Sequence, residues 1–235
     1  MSNTQDAPKP LGAWVASGRR PRLLDLYSGC GGAAVGYHQA GWDVTGVDIA
    51  DMPDYPFEFH QGDAIEYLNT HWRDFDAVHA SAPCQKYTRI NHGAKDLLLD
   101  LVGPTRDALK ASGLPYIIEN VVGAPLINPL LLCGTMFGLQ VIRHRLFESN
   151  MLLFAPGPHR HAGSVADGTY VSVHGGGQRS THTIPYAEQR KRWEHAMGIN
   201  WISRRHDLCQ AIPPAFTEHL GRQMIAVVGR EAMPA

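Results

Sequence analysis

A thiol and a carboxyl group stand at the ends of two predicted strands of the chain. Cys84 follows the apolar run 74–80, and Glu119 lies at the end of the run 114–120. Carbon 5 of cytosine becomes nucleophilic only after a thiolate has added to carbon 6 while N3 is protonated or hydrogen-bonded. Cys84 can be that nucleophile and Glu119 that proton donor. A carboxyl group at a dry strand end also has a raised pKa, which suits it to donate a proton.

A glycine-rich turn follows the first apolar run and matches the fingerprint Gly-x-Gly-x-x-Ala. It begins at Gly29, and Asp48 lies 19 residues further along. Glycines let the backbone close on a ligand at a helix N-terminus, and an acid at this distance holds ribose hydroxyls. The pattern fits a dehydrogenase, and it fits equally a methyltransferase that binds adenosine and a methionyl carboxylate. The thiol and the carboxyl group favour the methyltransferase, because hydride transfer has no use for that pair.

Five strands must bring these groups to one edge of a sheet. We predict them at 21–27, 42–48, 57–63, 74–80 and 114–120, with helices between them. This alternation predicts an α/β fold with a Rossmann-like, doubly wound and mostly parallel sheet. Ligands bind such sheets at the carboxyl ends of the strands.

The alternation of strands and helices changes after residue 120. The runs 129–139 and 144–154 predict two more strands paired as a hairpin, and helices are predicted at about 186–197 and 214–229. A helix at about 96–112 contains Pro104, which is expected to kink or restart it. The predicted organisation is a flexible leader (1–20), a catalytic and cofactor-binding domain (21–154), a small irregular insert (155–185) and C-terminal helices that complete the catalytic domain (186–235).

Five motifs resemble, in order and spacing, those of the cytosine-C5 DNA methyltransferases: DLYSGCGG (25–32), APCQKYT (82–88), ENV (119–121), RHR (143–145) and QAIPPAF (210–216). The resemblance covers nearly everything from 21 to about 230. It implies the class I methyltransferase fold and transfer of a methyl group from S-adenosylmethionine to C5 of cytosine in DNA. It also implies a covalent bond between Cys84 and C6 of a base that has left the duplex stack.

The resemblance assigns roles to single residues. Cys84 would be the nucleophile and Glu119 the partner of N3, Arg145 would steady Glu119 and the flipped base, and Arg143 would support these groups. Asp48 would bind the ribose and Asp63 the adenine amine. The predicted cofactor-binding set is Tyr27, Ser28, Gly29, Cys30, Gly31, Gly32, Asp48, Ile49, Asp63, Ala64, Pro83, Gln210 and Ala211.

The sequence departs from the family pattern at several places. Val141 stands where the family usually has Gln, and Cys209-Gln210 stands where it has Gly-Asn. Asp48 replaces the more frequent Glu, with the same charge and a shorter reach. The insert is also much smaller than the recognition domain of typical members, so we expect a short or degenerate target of about two to four bases.

Basic and polar residues outside the motifs are candidate DNA contacts. Lys86 and Arg89 lie in a loop that could close over a flipped nucleotide, and Arg160 with the stretch 178–182 is expected to read bases. The predicted DNA-binding set is Gln85, Lys86, Arg89, Arg160, Gln178, Arg179, Arg190 and Lys191.

Charge and composition agree with a double-stranded DNA partner. Residues 1–139 hold 10 Lys and Arg against 15 Asp and Glu, whereas residues 140–235 hold 11 against 7. The C-terminal part is therefore the part expected to meet an anion. No apolar run is long enough to span a membrane and the N-terminus does not resemble a secretory signal, so we expect a cytoplasmic protein, prokaryotic or phage-encoded, that is a monomer or a weak dimer.

No metal site is expected. The four cysteines lie far apart with no CxxC pair. His159 and His161, with His174 and His182, have no Cys or acidic partner at ligand spacing, so they are interpreted as an exposed cluster without an ion.

Three alternative functions stay open. The same motifs occur in an RNA cytosine-C5 methyltransferase directed to tRNA, and methyl incorporation into duplex DNA and into tRNA would separate the two. A nucleotide-dependent oxidoreductase would bind a nicotinamide dinucleotide. A catalytically silent DNA-binding module is disfavoured by the intact Cys84 and Glu119.

Overall fold

The computed structural model describes residues 18–87, 99–173 and 186–230. Seven strands form one sheet, and they are β1 (Arg22–Leu26), β2 (Asp43–Asp48), β3 (Glu58–Gln61), β4 (Ala77–Ala80), β5 (Tyr116–Asn120), β6 (Leu130–Cys133) and β7 (His144–Ser149). Their order across the sheet is β3-β2-β1-β4-β5-β7-β6. The first five strands pair in parallel, and β7 runs antiparallel to both β5 and β6. The fold is thus the predicted α/β, Rossmann-like sheet.

The helices of the described residues are α1 (Gly32–Ala40), α2 (Ala64–His71), α3 (Val102–Ser112), α4 (Tyr186–Met197), α5 (Arg205–Gln210) and α6 (Pro214–Arg230). Short 3-10 turns lie at Trp72–Asp74 and Gly134–Phe137. None of these helices is long and apolar enough to cross a membrane.

The five predicted parallel strands and the antiparallel hairpin are confirmed, with small shifts at their ends. β7 ends at Ser149, earlier than the predicted run to 154. The reason is Asn150, whose side-chain oxygen accepts from the Tyr116 N–H at 2.9 Å and whose amide donates to the Leu114 carbonyl at 3.0 Å. These side-chain bonds use backbone groups at the beginning of β5 that a longer β7 would need.

Pro104 does not kink a helix. Helix α3 begins at Val102, so Pro104 lies in its first turn, where a missing N–H removes no intrahelical bond. Of the two predicted effects of Pro104, a kink or a restart of the helix, the structure agrees with the second, because the helix begins two residues before the proline. Residues 96–98 of the predicted helix lie outside the described residues.

Two apolar layers cover the sheet. On one face α1 and α6 pack on residues of β1, β2 and β5, and the Trp42 indole N–H, just after α1, donates to the Gly221 carbonyl of α6 at 3.0 Å. On the other face α2 and α3 pack on the remaining side chains of the parallel strands. A third cluster surrounds Trp193 of α4 and includes Cys30 and Val141, so α4 is attached beside the carboxyl ends of the strands.

The part of the predicted insert that the structure describes, 155–173, contains no helix and no strand. It is attached by an isolated parallel bridge between Val171 and Val141, in which the Val171 N–H donates to the Gln140 carbonyl at 2.7 Å. This agrees with an irregular insert. The rest of it, 174–185, and the predicted leader up to residue 17 lie outside the described residues.

Candidate active site

In the turn between β1 and α1, three alternate residues have positive φ angles. Tyr27, Gly29 and Gly31 have φ values of 56°, 48° and 79°. A side chain on Gly29 would meet nothing within 4 Å, so this glycine is needed for its backbone angle and leaves open space above the turn. At Gly31 an added Cβ would also lie 2.7 Å from Pro56 Cδ. The turn therefore presents bare backbone at the beginning of a helix, as the sequence predicted.

Asp48 fixes this turn from the end of β2. Its Oδ2 accepts from the Gly29 N–H at 3.0 Å, and its Oδ1 accepts from the Ala50 N–H at 3.1 Å. The neighbouring Ile49 is 72% exposed although it is large and apolar. An exposed aliphatic side chain next to an oriented carboxylate is a surface on which an adenosine can lie.

Asp63 caps helix α2. Its Oδ1 accepts from the N–H groups of Ile65 and Glu66, both at 2.9 Å. Both bonds use the same oxygen, so Oδ2 is available to a ligand amine. Ala64, the first residue of the helix, is buried.

Buried polar atoms below the turn have no partner among the described residues. They are the Ser28 hydroxyl and both carboxylate oxygens of Asp25. Burial, followed by the charge of Asp48, raises the pKa of Asp25 well above its usual value, so the site favours the protonated carboxyl group. Buried groups of this kind are usually hydrogen-bonded, and a ligand over the turn would supply a partner for the Ser28 hydroxyl.

Other predicted cofactor contacts lie at the same turn, among them Tyr27, Cys30 and Ala211. The Tyr27 hydroxyl lies 2.8 Å from the Thr105 hydroxyl of α3, and the Cys30 carbonyl accepts from the Trp201 indole at 2.9 Å. An added Cβ on Gly32 would lie 2.5 Å from the Ile212 carbonyl and 3.1 Å from Ala211 Cβ. The segment after α5 therefore closes one side of the turn.

Gln210 is exposed and its amide lies 2.9 Å from His206 Nε2. Cys30 is not a second nucleophile, because burial and then the charge of Asp207 raise its pKa to about 12.

Cys84 lies in the tight turn that follows β4, where the Tyr87 N–H donates to the Cys84 carbonyl at 2.9 Å. Pro83 and Cys84 are half-buried. Burial raises the pKa of the Cys84 thiol and the charge of Glu119 raises it further, whereas Arg145 and Arg143 lower it. The thiol is therefore protonated in this state, and the two arginines are the groups that favour its thiolate.

Glu119 is buried on β5 and faces Arg145 of β7. Arg145 Nε lies 2.9 Å from Glu119 Oε1. The contact is an ion pair without hydrogen-bond alignment, since Oε1 has no hydrogen-bond partner among the described residues. Burial raises the pKa of Glu119, and the charges of Arg145 and Arg143 partly offset this. Burial thus favours the protonated form of Glu119, and Oε1 has no hydrogen-bond partner among the described residues and is available to a base.

Arg143 is bonded to two other segments of the protein. Its buried guanidinium donates to the Cys209 carbonyl at 2.7 Å and to the Val173 carbonyl at 3.4 Å. It therefore joins the beginning of β7 to the C-terminal segment and to the insert. Asn120 similarly donates to the Ala82 carbonyl at 2.9 Å and so joins the end of β5 to the loop that carries Cys84.

A buried polar chain lies on the inner side of Glu119. The Tyr37 hydroxyl is 3.0 Å from His79 Nδ1, and His79 Nε2 is 2.8 Å from the Ser81 hydroxyl, which stabilises the Glu119 carboxylate. Burial lowers the pKa of His79 to about 3, so the imidazole is neutral. The chain fixes the position of Ser81 without adding a charge.

Sequence reasoning missed Asp25, His79 and Ser81 as parts of this site. Asp25 could have been recognised, because it begins the motif DLYSGCGG and an acidic residue inside an apolar strand is rare without a functional or structural reason. His79 carries the same signal within strand β4. Ser81 has no feature in the sequence that separates it from any loop serine.

Five of the eight predicted DNA contacts lie within the described residues. Gln85, Arg160 and Lys191 are exposed. Lys86 Nζ lies 3.8 Å from Asp100 Oδ2, so a phosphate would have to compete with that carboxylate. Three of the predicted residues, Arg89, Gln178 and Arg179, lie outside the described residues, as do His174 and His182.

The Arg190 side chain is bonded within the protein. Its guanidinium donates to Glu194 at 2.7 Å and to the carbonyls of Ser203 and Ile202 at 2.8 and 3.0 Å. These bonds attach α4 to the segment before α5. A phosphate would have to compete with Glu194 for this guanidinium, so the phosphate contact of Arg190 stays a prediction.

The expectation that His159 and His161 lack a Cys partner is also wrong. Cys133 Sγ lies 3.5 Å from His161 Nε2. The sequence spacing concealed this contact, because the antiparallel hairpin of β6 and β7 brings Cys133 to the insert.

No protein-family model matches the chain. It is 33% identical over 84 residues to the type II methyltransferase M.NgoFVII of Neisseria gonorrhoeae, a match over 32% of this chain and 22% of that protein. It is 30% identical over 89 residues to a putative type II methyltransferase of Oceanobacillus iheyensis, over 30% of this chain and 19% of that protein. The chain thus spans about a fifth of the length of the curated relatives it matches.

Two solved structures share the fold over most of the chain. The Dnmt2 methyltransferase of S. pombe superposes with a TM-score of 0.57 at 14% identity, covering 89% of this chain and 99% of that one. The methyltransferase EhMeth of Entamoeba histolytica superposes with a TM-score of 0.55 at 13% identity, with the same coverage. The fold of this chain is therefore one that solved methyltransferases use.

Proposed function

We propose that the protein transfers a methyl group from S-adenosylmethionine to C5 of cytosine in DNA, with Cys84 as the covalent nucleophile. The observation that carries the proposal is the meeting of Cys84, Glu119 and Arg145 beside the glycine turn of β1. The charge of Glu119 acts on the thiol, and Arg145 Nε lies 2.9 Å from Glu119. Hydride transfer, the main alternative for the glycine turn, has no use for this group of side chains.

The proton states of Cys84 and Glu119 are coupled in the direction that the reaction needs. A negative charge on Glu119 raises the pKa of the thiol, and burial raises the pKa of Glu119 itself. When the proton resides on Glu119, its charge disappears and the thiolate of Cys84 is opposed only by burial. Arg143 and Arg145 then stabilise the thiolate, so the productive state has Cys84 ionised and Glu119 protonated.

In that state the two residues act together on the base. The Cys84 sulfur forms a bond to C6, while Glu119 holds its proton at N3 and so accommodates the electrons that leave the C5–C6 double bond. The resulting enamine makes C5 nucleophilic, and C5 takes the methyl group as the bond between that group and the sulfonium sulfur breaks and S-adenosylhomocysteine leaves. Loss of the C5 proton to water then restores the double bond as the C6–S bond breaks, the thiolate returns and the proton at N3 goes back to Glu119.

The residues of the turn fit S-adenosylmethionine, which when bound supplies an electrophilic methyl group. Asp48 and Ile49 would receive the ribose and one face of the adenine, and Asp63 Oδ2 would accept from the adenine amine. The Ser28 hydroxyl, which has no partner among the described residues, would bind the methionyl end together with the backbone at Gly29 and Gly31.

DNA is the proposed substrate, on the strength of the named type II methyltransferase relatives. Exposed Lys191 and Arg160 are the described basic residues of the predicted set that a phosphate backbone could reach without competition from an acid in the structure. RNA remains the rival substrate, and the experiment below separates the two.

The test uses purified protein, labelled S-adenosylmethionine, duplex DNA and tRNA. We expect label in DNA at C5 of cytosine, and a stable protein–DNA adduct when the target cytosine is replaced by 5-fluorocytosine, because fluorine cannot leave as a proton does. Cys84→Ala should abolish both label and adduct while retaining the thermal shift caused by S-adenosylmethionine. Asp51→Asn, which changes an exposed acid outside the proposed site, is the control and should retain both label and adduct. Label in tRNA alone would overturn the DNA assignment, and normal methylation of DNA without an adduct would overturn the covalent mechanism.

A further inference from the structure

Four metal-ligating side chains converge at the end of the β6–β7 hairpin. Their ligand atoms, from Cys133, His144, His159 and His161, all lie within 4.8 Å of one another. Cys133 ends β6 and is paired directly with His144 at the beginning of β7. His159 and His161 come from the described part of the insert. Two separate pieces of chain therefore supply two ligands each.

The distances suit one tetrahedral ion. His144 Nε2 lies 3.0 Å from His159 Nε2, His159 Nε2 lies 2.9 Å from His161 Nε2, and His161 Nε2 lies 3.5 Å from Cys133 Sγ. Zinc binds imidazole nitrogen at about 2.0–2.1 Å and thiolate at about 2.3 Å, which places neighbouring tetrahedral ligand atoms about 3.3–3.6 Å apart. The observed contacts differ from that spacing by less than about 0.5 Å.

Hydrogen bonds among the four groups do not explain the arrangement. A ring nitrogen has a single in-plane direction in which it donates or accepts, so it makes one well-directed hydrogen bond. His159 Nε2 faces both His144 Nε2 and His161 Nε2, and its ring is nearly perpendicular to both other rings, at 87° and 78°. A divalent cation at the centre would satisfy all the facing lone pairs at once.

We propose that Cys133, His144, His159 and His161 bind one Zn²⁺ ion as a structural site. A set of one thiolate and three imidazoles selects a borderline soft cation over magnesium or calcium, which prefer oxygen ligands. Four protein ligands leave no open position for substrate, which is the pattern of structural rather than catalytic zinc. The proposal does not depend on the methyltransferase function.

The surroundings of the ligands support this assignment. The Thr135 hydroxyl donates to Cys133 Sγ at 3.3 Å, an outer contact that favours the thiolate. His161 stacks on His144 and contacts the edge of Tyr170, which orients the ring.

The ion would attach the insert to the sheet. His159 and His161 flank Arg160, the predicted base-reading residue, and His144 stands between Arg143 and Arg145. Side chains alternate along a strand, so His144 faces the side of the hairpin opposite Arg145. The zinc site would therefore set the position of Arg160 relative to the active-site strand without touching the reacting groups.

The test begins with full-length protein purified without a histidine tag, its metal content and a titration with Co²⁺ after chelation. We expect one zinc per chain, and with Co²⁺ the visible bands of a tetrahedral site together with a thiolate-to-cobalt band in the near ultraviolet. Cys133→Ser should remove the thiolate band, and His161→Asn should weaken zinc binding more than about 100-fold, since even outer contacts are worth about 10–100-fold. His60→Asn, an exposed histidine on the opposite edge strand β3, is the matched control and should change nothing.

Chelation supplies a second readout. Removal of the ion should expose the segment 155–173 to limited proteolysis while the far-ultraviolet circular dichroism of the sheet and helices is retained. The proposal is overturned if wild-type protein supplied with zinc binds less than stoichiometric metal, or if its Co²⁺ spectrum lacks the thiolate band. It is also overturned if the spectrum is unchanged in both Cys133→Ser and His161→Asn. The wild-type titration decides the matter even if a variant fails to fold.

Discussion

Arg145 and Glu119 are diagonal neighbours across the antiparallel pairing of β5 and β7. Glu119 is paired with Phe147, and Arg145 lies two residues before Phe147 on the same face, with Nε 2.9 Å from Oε1. The ion pair is thus built into the register of the sheet. Because the paired strands fix both backbones, the guanidinium is held beside the buried carboxyl group more rigidly than it would be on a loop.

The first prediction follows from this pair. Arg145 lowers the pKa of both Cys84 and Glu119. Arg145→Gln removes that charge, so both pKa values rise and the pH–rate profile of kcat/KM should move to higher pH, with a lower maximum. Arg192→Gln on the exposed face of α4 is the matched control, since its partner Glu188 is also exposed. A profile for Arg145→Gln that keeps its pH limits would show that Arg145 does not act on the two titrating groups.

The second prediction concerns the cofactor turn. Asp48→Asn should weaken S-adenosylmethionine binding by about 10- to 100-fold, because one charge-assisted hydrogen bond is worth about 1.5–3 kcal/mol. Isothermal titration calorimetry measures the affinity directly. Asp51→Asn alters an exposed neighbouring acid and should leave the affinity unchanged. Unaltered binding by Asp48→Asn, or tighter binding of a nicotinamide dinucleotide, would contradict the assignment.

The third prediction concerns stability and pH. Burial raises the pKa of Asp25 in the folded state, so the folded protein holds a proton there that the unfolded chain releases above about pH 3.9. The Asp25 contribution to stability is therefore greatest at low pH and is lost as pH rises toward the folded pKa. Asp25→Asn cannot ionise, so its melting temperature relative to wild type should increase from pH 4 to pH 8. A difference that is constant across this range would show that Asp25 titrates normally.

The fourth prediction separates two adjacent basic residues of α4. Arg190 makes three intramolecular bonds, whereas Lys191 is exposed. Lys191→Gln should weaken DNA binding evenly across sequences and reduce the slope of log K against log salt by about 0.9, the value for one phosphate contact. Arg190→Gln should instead lower the melting temperature and leave that slope unchanged. Equal salt slopes for Lys191→Gln and wild type would remove Lys191 from the interface.

The parallel half of the fold was predictable because most of its strands are buried on both faces. Runs such as 21–27 and 114–120 are mostly apolar, and the glycine turn and Glu119 lie at or just after their carboxyl ends. The same reasoning brought Cys84 and Glu119 to one edge. Helix α5 was missed because six residues with a polar composition carry no apolar period.

The contacts that the sequence did not reveal share a physical cause. Arg190 and the histidine cluster contact partners that are remote in sequence, such as the Ser203 carbonyl for Arg190 and Cys133 for His161. A charged or aromatic residue with no local pattern gives no indication of whether solvent or protein will satisfy it. Only the three-dimensional structure distinguishes an arginine that bonds two segments of the protein to each other from one that is available to bind a phosphate.

The packing of α1 against α6 has a consequence for synthesis on the ribosome. The Thr217 hydroxyl of α6 donates to the Ala33 carbonyl of α1 at 2.8 Å, across 184 positions of sequence. The apolar face of α1 therefore stays uncovered until most of the chain has been translated, and the turn that precedes it gains its final support only then. The nascent chain therefore exposes the apolar side chains of α1 for most of its synthesis, and transiently exposed apolar surface of this kind favours aggregation.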